Sequence, residues 1–219
     1  MIYLASQSPQ RAALLKRTTA PFTVVASSGD EETVTGLPAP ALAVERARIK
    51  ARGAVLKPPI PGESVVVSAD TVVALGNELI GKPADRTDAM RILSALSGST
   101  HHVFTGTCVI AVAPDSTLGT EAVSVAMAKV TMRRMTPEEI RAYVDSGESD
   151  GRAGAYAIQE SGDRFIADLA GGWDTVVGLN LAAVVRLYRE ALDRVFPGIV
   201  PIIGRPNRSG AFPAIGGQP

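Results

Sequence analysis

An α/β fold is the class this sequence predicts, and three observations predict it. Strand-like and helix-like segments alternate from residue 2 to residue 96. One strand candidate, Val65 to Val73, is apolar almost end to end, as expected of a strand covered on both faces. Two longer candidates, His102–Ala113 and Glu121–Met132, follow one another across a Pro-Asp-Ser-Thr turn and predict an antiparallel pair.

Each element has its own signal. Ile2-Tyr3-Leu4-Ala5 reads as a short buried strand, followed by a helix through Leu14-Leu15 and a second strand at Thr23-Val24-Val25. Ala39 to Lys57 reads as an alanine- and arginine-rich helix stopped by Pro58-Pro59. Gly76-Asn77 is a turn leading into Glu78-Leu79-Ile80, and a helix from Thr87 to Leu96 stops at Gly98. Thr136-Pro137-Glu138-Glu139 is a capping box. In the Gly-rich stretch from Gly147 to Gly178, short strands are expected around Tyr156-Ala157-Ile158 and Phe165-Ile166. Leu181 to Val195 is the last helix. Residues 1–196 are expected to form one domain, and 197–219, with five prolines and five glycines, a loosely draped tail.

Composition narrows the function classes. At 219 residues there is ample material for a core. Lys plus Arg equals Asp plus Glu at 22 each, so no global field recruits nucleic acid or an anionic membrane, and anion recognition has to be local. The single cysteine, Cys108, lies in an apolar run and reads as a small core residue. No signal-peptide pattern precedes the first strand and no apolar run reaches spanning length, so a cytoplasmic protein is expected.

Several residues carry chemistry. Ser8 is a good N-cap and Pro9 suits the first helical position. Arg11 then falls in the first turn, where the helix dipole disfavours a cation, with no acid nearby. The segment is either a phosphate cradle or an ordinary capped helix with a solvated arginine. Asp70, inside a run of valines, has to be hydrogen-bonded, paired or bound to metal; a structural cap on a neighbouring turn is the other reading. Thr71 points to the opposite face of a regular strand. Asp30-Glu31-Glu32 is either solvated surface or the source of a second oxygen ligand beside Asp70. Lys50 and Lys82, joined to Arg11, would complete the charge pattern of metal-assisted attack on a polyphosphate. Gln159 could read a base edge or be a surface amide. His101 and His102 have no metal-ligand spacing with Cys108, and Trp173 between glycines and an aspartate reads as a loop anchor.

Taken together, these segments resemble the Maf family of nucleoside triphosphate pyrophosphatases over roughly residues 2 to 185. The resemblance runs through Leu4-Ala5-Ser6, Ser8-Pro9-Gln10-Arg11 and Leu14-Leu15, then Asp30-Glu31 and Ala47 to Ala51. It continues through Ala69-Asp70-Thr71-Val72, Gly81-Lys82-Pro83, Ser97-Gly98, His101, Val103 and Thr105-Gly106. Ala153 to Tyr156, Ile158-Gln159 and Val176 to Leu179 complete the set. It implies an elongated mixed sheet with flanking helices, two lobes around a central cleft, and a homodimer. It also implies hydrolysis of the α–β phosphoanhydride of a nucleoside triphosphate to the monophosphate and pyrophosphate, a house-cleaning activity, with a divalent cation (Mg²⁺, Mn²⁺ or Co²⁺). Asp70 would be the acidic centre, as base or metal ligand, with Glu31 as metal ligand or second base. Ser8, Arg11, Lys50 and Lys82 would bind phosphates, and Gln10, Thr71 and Gln159 would set substrate choice. Thr71 and Gln159 match the type acting on dTTP and UTP. Gln10 departs from it, leaving 7-methyl-GTP or a broad nucleotide set as the alternative, and a nucleotide-sensing regulator of cell division as a reading of another class. Arg152 stands where the family has lysine, and Asn180 where it has proline.

Overall fold

The computed structural model describes residues 1–195. The predicted tail, residues 197–219, lies outside the described residues. Seven strands form one mixed sheet in the order β2-β1-β3-β5-β6-β7, with β4 added to β3. Three neighbours run parallel: β2 (Phe22–Val25), β1 (Ile2–Ala5) and the first part of β3 (Ser64–Leu75). β4 (Glu78–Ile80), β5 (Thr100–Val112), β6 (Leu118–Met132) and β7 (Ile166–Ala170) extend it antiparallel.

The helices are α1 (Pro9–Lys16), α2 (Ala39–Arg52), α3 (Arg86–Leu96), α4 (Pro137–Asp145), α5 (Trp173–Val177) and α6 (Leu181–Val195). One apolar cluster joins Leu14, Leu15, Leu187 and Tyr188 of α1 and α6 to Ile2, Leu4, Val65 and Val67. A second joins Ile92, Leu93, Ile140 and Tyr143 of α3 and α4 to Val73, Val130, Met132 and Phe165. Trp173 and Val177 pack against both, so α5 is the bridge between two lobes, and Trp173 anchors a helix start rather than a loop. On another face, Ala47 and Ala51 of α2 lie with Val66, Cys108 and Ile110. Among the described residues no helix is long and apolar enough to cross a membrane.

Two expected elements differ. The second helix ends at Arg52 rather than Lys57, because Gly53 caps it and the chain turns to meet residues 26–28: the Val55 N–H donates to the Ala26 carbonyl and the Ser28 N–H to that of Gly53. Tyr156-Ala157-Ile158 is no strand. A 3-10 turn at Ala153–Ala155 holds Gly154 and Ala155 at φ of 79° and 57°, and the Ala157 N–H donates to the Tyr143 hydroxyl instead of a ladder. The last strand lies further on, at Ile166–Ala170. The capping box at Thr136 and Glu139 forms as predicted.

α2 presses closely onto the sheet where β5 carries Gly106. A Cβ added there would lie 2.2 Å from the Ala43 carbonyl oxygen, which is backbone and cannot turn aside. Gly106→Ala should therefore destabilise the fold by about 2–3 kcal/mol or more, as overpacking does, read by urea denaturation. A second prediction concerns wholly buried His101, whose Nε2 is 2.9 Å from the Tyr156 hydroxyl. Burial, helped by neighbouring His102, pushes its pKa down from 6.5 to about 4. The unfolded chain gains this proton first, so the contribution is intact above pH 6.5 and is lost as pH falls to about 4. That loss amounts to about 3 kcal/mol. His101→Gln should flatten this part of the stability–pH curve; an unchanged slope would assign the loss to other groups.

Candidate functional site

The strand pairing leaves a gap. β1 covers β3 only at Val65–Val67, and β4 only at Val73–Leu75, so residues 68–72 have no strand neighbour on that edge. The chain leaving β1 turns into α1 beside this gap, and a cavity of about 220 Å³ opens there. Its position follows the general rule that open α/β sheets bind ligands beyond the carboxyl ends of their strands. Ser8, Gln10, Arg11, Lys50, Asp70, Thr71, Lys82 and Gln159 all line it.

Asp70 is only 8% exposed, and Lys50 answers its charge. Lys50 Nζ lies 2.6 Å from Asp70 Oδ1 and 2.9 Å from Glu31 Oε1, reaching both from the last turn of α2. The reading of Asp70 as a turn cap is thus replaced by a paired carboxylate. Glu31 does not line the cavity; it reaches the site through Lys50. It begins a 3-10 turn, Glu31–Thr33, capped by the Asp30 carboxylate, and Glu32 turns away to Arg46 at 2.9 Å. Asp30 and Glu32 are exposed, as the solvated-surface reading expects, and Glu31 alone is drawn in, against Lys50. Burial opposes the Glu31 charge, but the hydrogen bond from Lys50 and the fields of Lys50 and Lys82 outweigh it, so its carboxyl sits below the usual range. Among the described residues no three His, Cys, Asp or Glu side chains cluster as a metal site.

Arg11 is not a solvated arginine. Its Nε donates to the Gly178 carbonyl at 2.8 Å, where α5 ends and leaves an acceptor free. Nη1 reaches Ser6 Oγ at 3.3 Å and Nη2 reaches Thr71 Oγ1 at 3.4 Å. Those contacts offset the unfavourable helix-start position. Three of its five N–H donors are used, leaving two for a ligand. The Ser8 Oγ accepts the Arg11 N–H as a helix cap and gives its own proton to Gln10 Oε1 at 3.0 Å. Binding an acceptor through the Ser8 hydroxyl therefore means releasing Gln10.

Lys82 is exposed at the cavity wall and makes no salt bridge among the described residues. Gln159 follows the irregular segment after Gly154, whose N–H donates to the Gly81 carbonyl next to Lys82. The two walls of the cavity are thus tied together. Arg152 also lines it, held by the Glu148 carbonyl and by Glu160 Oε1 at 2.8 Å each. Sequence reasoning missed two contributors: Tyr156 and Thr105. Each lies inside a motif already singled out, but their roles depend on contacts across the fold. Asn180 caps α6, its Oδ1 accepting from the Ala183 N–H at 2.8 Å. Cys108 is buried, and burial pushes its thiol up to about 12, which removes it as a nucleophile.

The geometry can therefore hold an anion chain against two lysines and two arginines, beside a carboxylate pair. Curated relatives agree with such a ligand. A dTTP/UTP pyrophosphatase of Anaeromyxobacter dehalogenans (strain 2CP-C) is 44% identical over 190 residues, covering 87% of this chain and 93% of the relative. The enzymes of that name from Deinococcus radiodurans and Aquifex aeolicus are 40% and 38% identical, covering 92% and 94% of the relatives. A solved nucleoside-triphosphatase / dITP/XTP pyrophosphatase from Mycobacterium abscessus aligns at 16% identity with a TM-score of 0.39, too loose a superposition to relate the two sites. The Maf-like protein family matches residues 1–191, and the chain belongs to that family.

Proposed function

We propose that this chain is a nucleoside triphosphate pyrophosphatase, cleaving the α–β phosphoanhydride of dTTP- and UTP-type nucleotides to the monophosphate and pyrophosphate. The observation that carries the proposal is Lys50 bridging Asp70 and Glu31 at 2.6 and 2.9 Å, on the wall of a cavity that Arg11 and Lys82 also line. Names of relatives at 38–44% identity support the substrate class.

The cations have one task. Lys50, Lys82 and the two free donors of Arg11 hold the phosphates and offset charge that builds on the leaving pyrophosphate. Asp70 either takes the proton from the attacking water or holds a cation that activates it. The donor set suits a hard divalent ion: Asp70 and Glu31 offer carboxylate oxygens, and phosphate oxygens and water would complete its shell, as Mg²⁺ prefers. Such an ion would supply positive charge at the phosphate oxygens and acidify bound water. Lys50 then turns from the carboxylates to the phosphates, which links its pairing without ligand to its role with one.

The proposal includes a homodimer in the cytoplasm; Val125 and Met127 of β6, 42% and 54% exposed, are apolar surface that a second copy could cover. Nucleic acid and membrane are left out because the formal net charge is zero.

Asp70→Asn should lower pyrophosphate release from dTTP by about 10²–10⁴-fold while the chain stays folded at a reduced melting temperature, since Lys50 keeps Glu31 as its partner. Unchanged turnover would remove Asp70 from catalysis. Hydrolysis rates across dTTP, UTP, CTP and 7-methyl-GTP, each with Mg²⁺, Mn²⁺ or Co²⁺, test the substrate class. Equal rates on dTTP and 7-methyl-GTP would sink the pyrimidine assignment.

A further inference from the structure

Thr105 decides what Thr71 can offer a ligand. The Thr105 hydroxyl, wholly buried, lies 2.7 Å from the Thr175 carbonyl oxygen. A carbonyl only accepts, so the one proton of Thr105 is committed there. Thr71 Oγ1 lies 3.0 Å from Thr105 Oγ1, and with that proton spent Thr71 has to be the donor between them. Arg11 Nη2 donates to Thr71 from 3.4 Å. Thr71 is left facing the cavity with one lone pair and no proton. It cannot bind an ionised phosphate oxygen, which has no proton to give; it can only accept from a ligand N–H or O–H.

The pleat shows which end of a nucleotide meets it. Thr71 pairs with Thr105 and Val73 with Val103, so all four side chains share one face. Val73 and Val103 line the cavity there, with Tyr156, Ile158 and Gln159 on its wall. Asp70 points to the other face, toward Lys50. The valines therefore lie on the Thr71 side and Lys50 on the Asp70 side.

We propose that Thr105 is a positioning residue for base selection. By holding the Thr71 proton it leaves an acceptor that favours the imide N–H of uracil or thymine over cytosine, whose ring N3 is itself an acceptor. This rests on the pyrophosphatase reading above. A sugar hydroxyl is the other donor of a uracil or thymine nucleotide, and comparing UTP with CTP holds the sugar constant.

The test measures kcat/KM for UTP, CTP and N3-methyl-UTP in the wild type, Thr105→Val and Thr105→Ser. The wild type should favour UTP over each of the others by about tenfold or more, the effect of one well-placed hydrogen bond. In Thr105→Val the Thr71 proton is free to turn to cytosine N3. The UTP/CTP ratio should then fall by about tenfold, with the CTP value rising, a gain that damaged packing would not produce. Thr105→Ser should keep the wild-type ratio. An unchanged ratio in folded Thr105→Val overturns the proposal. So does wild-type turnover of N3-methyl-UTP equal to that of UTP, an arm that needs no variant to fold. The same ratios can be read by equilibrium binding to the wild type. Absence of hydrolysis would thus defeat the pyrophosphatase reading, while the binding ratio still decides this one.

Discussion

A carboxylate in a strand of valines requires a counter-charge, and the placing of Lys50 against Asp70 is the constraint on which the rest of the site depends. Both side chains are largely buried, at 14% and 11% exposure. Removing Lys50 would leave the Asp70 charge buried and alone, a loss that typically costs about 3–5 kcal/mol. The pair therefore fixes the distance between α2 and β3. The fold accommodates it with small residues: Ala43, Ala47 and Ala51 face the sheet, and Gly106 admits the helix backbone at a spacing where no side chain fits. A core built for close approach thus serves an ion pair at the end of the same helix.

The gap on the β3 edge explains why this pair belongs to a site and is not merely a buried salt bridge. Were β1 or β4 longer by a few residues, main-chain bonds would fill the edge at residues 68–72 and close the cavity. The pleat at the gap also sorts the chemistry. Consecutive residues Asp70 and Thr71 face opposite sides, so the Lys50–Asp70 pair and the face that Val73 and Val103 share with Thr71 are one residue apart along the chain. A nucleotide has the same polarity along its length, with anionic phosphates at one end and a flat base at the other.

Much of this was legible in the sequence, for physical reasons that differ by element. Long strands and capped helices declare themselves locally, and β3, β5, β6 and α4 agree with expectation to within a few residues. Asp70 was legible because a buried charge breaks an apolar pattern. The segment around Tyr156 was misread as a strand because its apolar residues pack into the second core through a 3-10 turn, with Tyr143 taking the backbone bond a strand neighbour would have taken. Thr105 was illegible as a functional residue: its importance lies in a carbonyl 70 residues away, which no local pattern encodes.

Arg11 shows how those two kinds of information combine. Locally it is an anomaly, a cation at the positive end of a helix with no acid beside it. Across the fold it is answered by the carbonyl that ends α5, and by Ser6 and Thr71. The same contacts that offset its position also orient it, leaving its remaining donors for a ligand and one lone pair on Thr71. Gly178 completes this arrangement, since a Cβ there would come within 3.1 Å of the Thr71 hydroxyl and 3.4 Å of Arg11 Nε, and its φ of +119° is one that side chains rarely adopt. A local violation of helix electrostatics is therefore the mark of a residue placed by the whole fold, and here it ties the first helix, the gap in the sheet and the bridging helix into one site.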